Sequence, residues 1–251
     1  MESTCGDRLH RSFADSTEEL YEAISSAFAR GGNVIIPTFA LERAQEILYV
    51  LHQGVERSRL PPAAQVFLDS PMAISATEIF QRHSKCLDPD TVGMFRQGAD
   101  PLHVDNLHLA RETADSIAIN RITGGAIIMA GSGMCTRGRI RHHLRQNLWR
   151  SESAIIFVGF AASGTLARQI IDGAHYVRLF GEDIPVRSSI HTINGFSAHA
   201  DQRELLAWHG RISGCERTFL VHGEEPAMKA LADHLQGTRL EMPRWGEGFD
   251  L

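Results

Sequence analysis

Several short segments of this chain are apolar at every position, and helical patterns separate them. The clearest are residues 34–36, 126–130 and 154–159. A strand that is apolar on both faces is typical of a parallel sheet covered by helices on both sides. The sequence therefore predicts a doubly wound α/β domain with a parallel sheet over approximately residues 7–185.

The intervening helices are predicted from capping signals and apolar periodicity. Residues 16–19, Ser-Thr-Glu-Glu, have the form of a capping box, and apolar residues then recur at helical spacing until Gly31 and Gly32 end the pattern. Further elements are predicted as a helix at 40–51, a strand at 64–68, a helix from Pro71, a helix after Gly138 and a helix at 164–171. Residues 87–108 show no clear period and are expected to be loop with short helices.

The pattern changes beyond Pro185. Residues 186–193 alternate like a strand, and they are followed by a predicted helix at 201–209, a strand at 218–222 and a helix at 226–235. This tail is expected to form a second, smaller layer.

Composition narrows the functional classes. The net charge of −5 argues against general attraction to nucleic acid, so any RNA site must be local. The four cysteines have no CxxC spacing, which argues against a disulfide scaffold and a thiolate zinc site. No apolar run approaches the ~20 residues of a membrane span, and the sequence start lacks a secretory signal, so a cytoplasmic location is expected. The oligomeric state is open, with a homodimer among the alternatives.

Polar clusters follow several of the predicted strands, where open parallel sheets place their ligands. We expect a phosphate site formed by Ser70, Ser132, Gly133, Arg137 and Arg139, because glycine amides can approach an anion closely and guanidinium groups can bind it. The alternative is that the glycines only turn the chain. The basic residues between 137 and 150 suit a phosphodiester backbone, and equally suit a solvated helix face.

Six segments together resemble the motifs of one family. In order, they are Glu2-Ser3-Thr4-Cys5-Gly6-Asp7-Arg8, residues 32–46, Asp69-Ser70-Pro71-Met72, Gly131-Ser132-Gly133-Met134, residues 196–201 (FSAHAD) and Val221-His222-Gly223-Glu224. They are similar to those of β-CASP nucleases of the metallo-β-lactamase fold. The resemblance is strongest to the branch of bacterial RNA exonucleases and cleavage-and-polyadenylation endonucleases.

This resemblance implies a domain organisation and an RNA substrate. It implies that residues 1–6 end a first metallo-β-lactamase segment, that 7–187 form the β-CASP domain and that 188–251 return to the metallo-β-lactamase αββα fold. In that family the active site lies between the two domains. Cleavage is zinc-dependent phosphodiester hydrolysis with two zinc ions, which activate water and stabilise charge.

The resemblance also assigns site residues. Glu2, His199 and His222 match the first, second and third β-CASP motifs. His222 would bind one zinc, and His199 would protonate the leaving oxygen. Glu2 would bond the other nitrogen of His199, fixing its tautomer and favouring the protonated form that a general acid needs. Cys5 stands where the family usually has tyrosine.

One departure from the family is serious. The HxHxDH motif and the other residues that supply most zinc ligands are absent from this sequence. Because one histidine cannot hold two zinc ions, we expect the chain to lack its N-terminal metallo-β-lactamase segment and to be inactive alone. The alternatives are a non-catalytic RNA-binding scaffold subunit, a DNA-processing β-CASP nuclease and an unrelated Rossmann-like nucleotide-binding protein. Endonuclease and exonuclease activity are not distinguished.

Overall fold

The computed structural model describes residues 1–250, which form two compact units. The larger unit is Ser12–Phe196. The smaller unit combines Met1–Arg11 with residues 197–250. These units are a geometric division, and the family segment boundaries expected after residues 6 and 187 stay predictions.

The larger unit alternates helices and strands along most of its length. Its elements are α1 (Phe13–Ala29), β1 (Val34–Pro37), α2 (Arg43–Glu56), β2 (Gln65–Asp69), α3 (Pro71–Arg82), α4 (Pro89–Arg96), β3 (Leu107–Leu109), α5 (Thr113–Ile119), β4 (Ala126–Ala130), α6 (Ile140–Asn147), β5 (Ala154–Phe157), α7 (Leu166–Ile171), β6 (Tyr176–Leu179), β7 (Glu182–Pro185) and β8 (Ser189–Thr192). Short 3-10 turns lie at Ser84–Cys86 and Asn194–Phe196.

Six of these strands form one sheet in the order β3-β2-β4-β1-β5-β8, and every neighbouring pair is parallel. Alternate residues of the central strands enter different cores. Ile36 packs in one core with residues of α1, α2 and α3, whereas Ile35 packs in the other with residues of α6 and α7. The predicted doubly wound parallel sheet is confirmed.

The last strand of this sheet corrects one expectation. Residues 186–193 were expected to begin the smaller layer, but β8 pairs with β5 from Ser189↔Ala154 to Thr192↔Phe157. It is an edge strand and is only partly buried, so its sequence alternates instead of being continuously apolar. The alternation therefore reflects position at the sheet edge rather than a second layer.

Short elements were also missed. Strand β3 has three residues, and α5 has seven, so neither gives a measurable period. The antiparallel hairpin of β6 and β7 turns at Phe180-Gly181, both with positive φ. No hairpin was expected there, because Phe-Gly is not among the usual turn pairs.

The smaller unit contains α8 (Gln202–His209), β9 (Arg217–Phe219), α9 (Glu225–Ala232) and β10 (Arg239–Glu241). Strands β9 and β10 pair in parallel, and Leu205, Leu220, Leu231 and Leu235 form its core. The helices predicted at 201–209 and 226–235 correspond to α8 and α9, and the strand predicted at 218–222 corresponds to β9. Strand β10 was not predicted.

Two further findings bear on composition. The structure holds no helix, within residues 1–250, that is long and apolar enough to cross a membrane. All four cysteines are free thiols, and Cys5 and Cys135 are buried.

One buried amide joins three parts of the larger unit at the start of β1. The Asn33 Nδ2 donates to the Ile122 carbonyl oxygen at 2.7 Å, and its Oδ1 accepts from the Ala126 backbone N–H at 3.3 Å. The Asn33 side chain also reaches Asn147 of α6. It therefore fixes the start of β4 and the end of α6 relative to β1.

We expect Asn33→Ala to lower the free energy of unfolding by about 1–3 kcal/mol, because buried donors and acceptors lose their partners. Urea denaturation measures this. Asn106→Ala is the matched control, since its amide bonds the Pro62 carbonyl at an exposed position, and its effect should stay within about 0.5 kcal/mol. Equal losses in the two variants would contradict the role of Asn33.

Candidate metal and phosphate sites

In the smaller unit, two segments far apart in sequence lie side by side. Glu2 forms a parallel bridge with Val221, and the Ser3 hydroxyl donates to the Val221 carbonyl oxygen at 2.8 Å. A Cβ at Gly223 would lie 2.6 Å from the Ser3 carbonyl oxygen, so only glycine fits there. This close pairing brings Glu2 next to His222.

His199 completes a cluster of three with Glu2 and His222. One donor atom from each residue lies within 4.8 Å of the others. The His199 Nδ1 is 3.5 Å from the Glu2 Oε2, and the two imidazole rings are 5.5 Å apart between centroids. His222 is exposed, whereas the other two are half-buried. The structure therefore brings together the three residues that the resemblance singled out.

Thr4 determines which ring nitrogen of His222 carries the proton. The Thr4 hydroxyl donates to the His222 carbonyl oxygen at 2.7 Å, and its Oγ1 is 3.2 Å from the His222 Nδ1. A hydroxyl has one hydrogen, so Oγ1 can only accept from Nδ1, which must carry the proton. The His222 Nε2 then keeps a free lone pair, as a metal ligand requires. Sequence reasoning missed Thr4, although it lies in the quoted Glu2 segment.

Glu2 is held as a carboxylate. Burial raises its pKa, but the hydrogen bond from the Thr4 backbone N–H and the nearby His199 charge outweigh this, so the pKa lies below its usual value. The Thr4 backbone N–H donates to the Glu2 Oε2 at 2.9 Å. A carboxylate facing Nδ1 of His199 favours a proton on that nitrogen.

The donor set fits a zinc ion chemically but is incomplete. Two imidazoles and a carboxylate are ordinary zinc ligands, and zinc takes four. Within residues 1–250, one other group of this kind occurs, formed by His10, Asp201 and Glu204. There Asp201 and Glu204 accept each other's backbone N–H groups in the capping box of α8. Those hydrogen bonds account for that group without a metal.

A separate cavity of about 480 Å³ lies in the larger unit, at the carboxyl ends of β1, β2 and β4. Its walls include four of the five predicted phosphate-site residues, Ser70, Ser132, Arg137 and Arg139. Gly133 is not among them, and a Cβ there would lie 2.8 Å from the Phe39 ring. The cavity occupies the position where open parallel sheets bind ligands.

The two arginines of the cavity differ. The Arg139 Nη1 donates to the Asp69 Oδ1 at 2.8 Å and the Ala110 carbonyl oxygen at 2.9 Å, and Nη2 donates to the Arg111 carbonyl oxygen at 2.8 Å. Arg137 is exposed, and its backbone carbonyl accepts from the Ser132 N–H and hydroxyl. Arg139 therefore joins the end of β2 to the loop after β3, whereas Arg137 is exposed to solvent.

Comparison with known proteins identifies the family. The Beta-Casp domain model matches residues 44–170. The chain belongs to the β-CASP family. A second model, the Zn-dependent metallo-hydrolase RNA specificity domain, matches residues 183–243 of this β-CASP chain.

Curated relatives agree with this β-CASP assignment. The chain is 41% identical over 249 residues to Ribonuclease TTHA0252 of Thermus thermophilus. This alignment covers 98% of this chain and 56% of the relative. It is 33% identical to Transcription termination factor FttA of Pyrococcus abyssi, over 89% of this chain and 36% of the relative. It is 31% identical to an RNase J-like protein of Methanocaldococcus jannaschii, over 89% of this chain and 51% of the relative. The chain thus spans roughly half or less of the length of these relatives.

Most of the basic stretch between 137 and 150 is engaged within the β-CASP chain. Arg145 pairs with Glu182 at 2.6 Å, and Arg150 donates to the Thr123 carbonyl oxygen. Arg141 lies over the Phe180 ring, and His142 stacks on it. These contacts favour the structural alternative for most of this stretch.

Asp69 is the buried centre of a network that sequence reasoning did not single out. It accepts from the Ser116 hydroxyl at 2.6 Å, lies 2.6 Å from the His143 Nε2, and pairs with Arg139. Burial raises the pKa of Asp69, but hydrogen bonds from His143, Ser116 and Arg139 outweigh it, and the pKa lies below its usual value. The sequence signal that could have indicated this network is His143, which follows the buried Ile140 by three residues and so lies on the same face of α6.

This network predicts acid sensitivity. An unfolded aspartate has a pKa of about 3.9, and the native pKa of Asp69 is lower. Its contribution to stability is therefore complete above about pH 4 and is lost as pH falls towards the native pKa. Urea denaturation from pH 6 to pH 3 should show the loss.

The control compares variants across the same pH range. Asp69→Asn should cost about 3–5 kcal/mol near neutrality, because it leaves Arg139 without its buried charge partner, and its stability should depend less on pH. Ser116→Ala removes one hydrogen bond, should cost about 1 kcal/mol, and keeps the carboxylate. If Asp69→Asn kept the wild-type pH slope, Asp69 would not be its source.

Proposed function

We propose that this chain is part of a zinc-dependent phosphodiester hydrolase that acts on RNA. The observation that carries the proposal is the cluster of Glu2, His199 and His222, whose donor atoms lie within 4.8 Å of one another. The match to a Zn-dependent metallo-hydrolase RNA specificity domain supports zinc and RNA. The name Ribonuclease TTHA0252 supports cleavage.

Each residue of the cluster has a distinct proposed role. His222 presents Nε2 as a zinc ligand, with Thr4 holding its tautomer. His199 donates a proton to the leaving oxygen, and Glu2, 3.5 Å from its Nδ1, orients the ring for that transfer. Zinc, when bound, supplies Lewis-acid stabilisation of the phosphate charge.

A site for two zinc ions needs more ligands than these residues offer. The HxHxDH motif does not occur in the 251-residue sequence, and zinc sites use three or four protein ligands per ion. We therefore propose that the other ligands come from a metallo-β-lactamase segment outside this sequence, and that the 251 residues alone do not cleave RNA.

The tautomer assignment can be measured directly. In the 251-residue chain, the imidazole nitrogen resonances of His222 should report a proton on Nδ1. Thr4→Val should shift the population towards Nε2–H. In a longer gene product that adds the other ligands, it should weaken zinc binding, titrated at the same resonances, by about 10–100-fold.

Thr4→Ser is the matched control for this measurement, since it keeps the hydroxyl and should retain the wild-type tautomer. Zinc that left the His222 resonances unchanged in a longer gene product that contains the HxHxDH segment would contradict its role as a ligand. An unchanged tautomer in Thr4→Val would contradict only the role of Thr4.

Cleavage tests the proposal as a whole. The locus should be read upstream of the Met1 codon for an in-frame HxHxDH segment, and the longer product assayed with zinc on labelled linear RNA, circular RNA and DNA. His199→Ala should lower kcat about 10²–10⁴-fold with unchanged zinc content. His222→Ala should lower zinc content as well.

Each outcome of these assays has a defined meaning. Cleavage of circular RNA requires an endonuclease, whereas cleavage of linear RNA alone indicates an exonuclease. Preference for DNA would contradict the proposed substrate. Zinc-dependent cleavage by the 251-residue chain would contradict its proposed inactivity. A stop codon directly upstream would contradict the catalytic roles and favour the RNA-binding scaffold.

A further inference from the structure

A second cavity of the larger unit, of about 370 Å³, is lined by residues of α2, α3 and α4. We call it the Gln45 cavity after the buried amide on its wall. It shares no lining residue with the cavity at the strand ends. Its volume lies within the ~300–1,000 Å³ usual for small-ligand sites. The function proposed above makes no use of it.

One face of α2 carries most of the polar groups of the Gln45 cavity. Glu42, Gln45, Glu46 and Tyr49 all line it. Residues three, four and seven positions apart lie on the same side of a helix, and Glu42 is the residue that caps the start of α2. This side of the helix therefore presents two carboxylates, an amide and a phenol ring to one space.

The Gln45 amide has an oxygen without a donor. Gln45 is 2% exposed, and its Nε2 lies 2.8 Å from the Thr77 hydroxyl, 3.2 Å from the Ala40 carbonyl oxygen and 3.3 Å from the Ala73 carbonyl oxygen. The Thr77 hydroxyl donates its one hydrogen to Ala73, so all three neighbours accept and the NH₂ group must face them. No residue within 1–250 donates to Oε1. A buried acceptor of this kind normally has a partner.

The Gln45 cavity also has an excess of negative charge. Of its three carboxylates, only Glu46 forms an ion pair, with Arg43. Glu42 is exposed, and its carboxylate makes no hydrogen bond to the helix that it caps. Asp88 accepts two N–H groups of the first turn of α4, and hydrogen bonding by Thr91 holds the pKa of Asp88 below its usual value. The cavity is therefore complementary to a cation.

Aromatic side chains from three helices form the apolar wall. Phe13 at the start of α1, Tyr49 of α2 and Phe80 of α3 line the cavity together with Leu102. Phe13 is 44% exposed, and its ring packs edge-on against Phe196 at 5.5 Å between centroids. An aromatic face attracts a cation, and a planar guanidinium group also stacks on it.

We propose that the Gln45 cavity binds a small organic cation, a guanidinium or alkylammonium group on a short apolar stem. The cationic head donates a hydrogen bond to the Gln45 Oε1 and lies beside the carboxylates of Glu42 and Glu46. The stem packs against the rings of Phe13 and Phe80. A metal ion would leave the aromatic wall without an apolar contact, and a neutral ligand would leave the carboxylates without a counter-charge. Only an organic cation uses both.

The test is a titration of the 251-residue chain without zinc or RNA, so its outcome is separate from that of the proposed function. Butylguanidinium is the probe, and butanol is the neutral control with the same stem. The carbonyl carbon resonance of the Gln45 side chain should move with butylguanidinium, because Oε1 accepts a hydrogen bond, and stay unchanged with butanol. Gln169 is exposed on α7, which packs in the other core, and its resonance should not move.

Variants separate the charge from the aromatic wall. Glu42→Gln should weaken binding of butylguanidinium about threefold to fivefold, because it removes a partly solvated charge partner. Phe80→Leu keeps an apolar side chain but removes the aromatic face, and should weaken binding by about the same factor. Glu22→Gln is the matched control, since this exposed carboxylate of α1 lies outside the cavity. It should bind as the unaltered chain does.

A further variant distinguishes loss of the ligand contact from loss of the fold. Glu42 has a φ of 64° and a ψ of −58°, a conformation that glycine adopts more readily than any other residue. Glu42→Gly should therefore unfold at the same temperature as the unaltered chain or a higher one, and yet bind butylguanidinium more weakly.

Equal shifts of the Gln45 resonance with butylguanidinium and butanol, or no shift with either, overturn the cation site. Unchanged affinity in both Glu42→Gln and Phe80→Leu also overturns it. Tighter binding of diaminobutane than of butylguanidinium supports the site and indicates a free amine as its ligand. Tighter binding of a capped Gly-Arg-Gly peptide supports the site and indicates that the cation belongs to another polypeptide.

Discussion

The buried carboxylate of Asp69 is the interaction on which the geometry of the larger unit's cavity depends. It lies at the end of β2 and receives hydrogen bonds from Ser116 of α5, His143 of α6 and Arg139 before α6. An unpaired charge in such a position would be strongly destabilising. The three partners must therefore stay in place, and with them the loops that follow β2, β3 and β4. Arg139 extends the same constraint to the carbonyl oxygens of Ala110 and Arg111.

Much of the fold could be predicted because its central strands are buried on both faces. Continuous apolar runs such as Ala126–Ala130 have one interpretation in an alternating chain, which is a parallel sheet between two layers of helices. The edge of that sheet was less predictable. Three-residue β3 has too few positions for a pattern, and β8 alternates because it is only partly buried. Its place beside β5 is a tertiary fact that local sequence does not encode.

Some residues of the candidate sites could likewise be predicted from the sequence, and others could not. Isolated histidines such as His199 and His222 carry little information, and the resemblance to a family supplied their expected proximity to Glu2. Thr4 was missed because its importance depends on a contact 218 residues away. The sequence does not distinguish Arg137 from Arg139 as phosphate ligands, whereas in the structure Arg139 forms an ion pair with Asp69 and Arg137 does not.

The pairing of Glu2 with Val221 has a consequence for how the chain is made. Contacts between such distant residues close very long loops of the chain. They form late because the entropy of loop closure is lost before the contacts can stabilise the fold. During synthesis at ~5–20 residues per second, Thr4 is added to the chain roughly 10–45 seconds before its partner His222. The first residues of the chain must wait for its last quarter, while the larger unit between them can fold in the meantime. The cluster of Glu2, His199 and His222 can therefore assemble only after the segment that contains His222 has been synthesised.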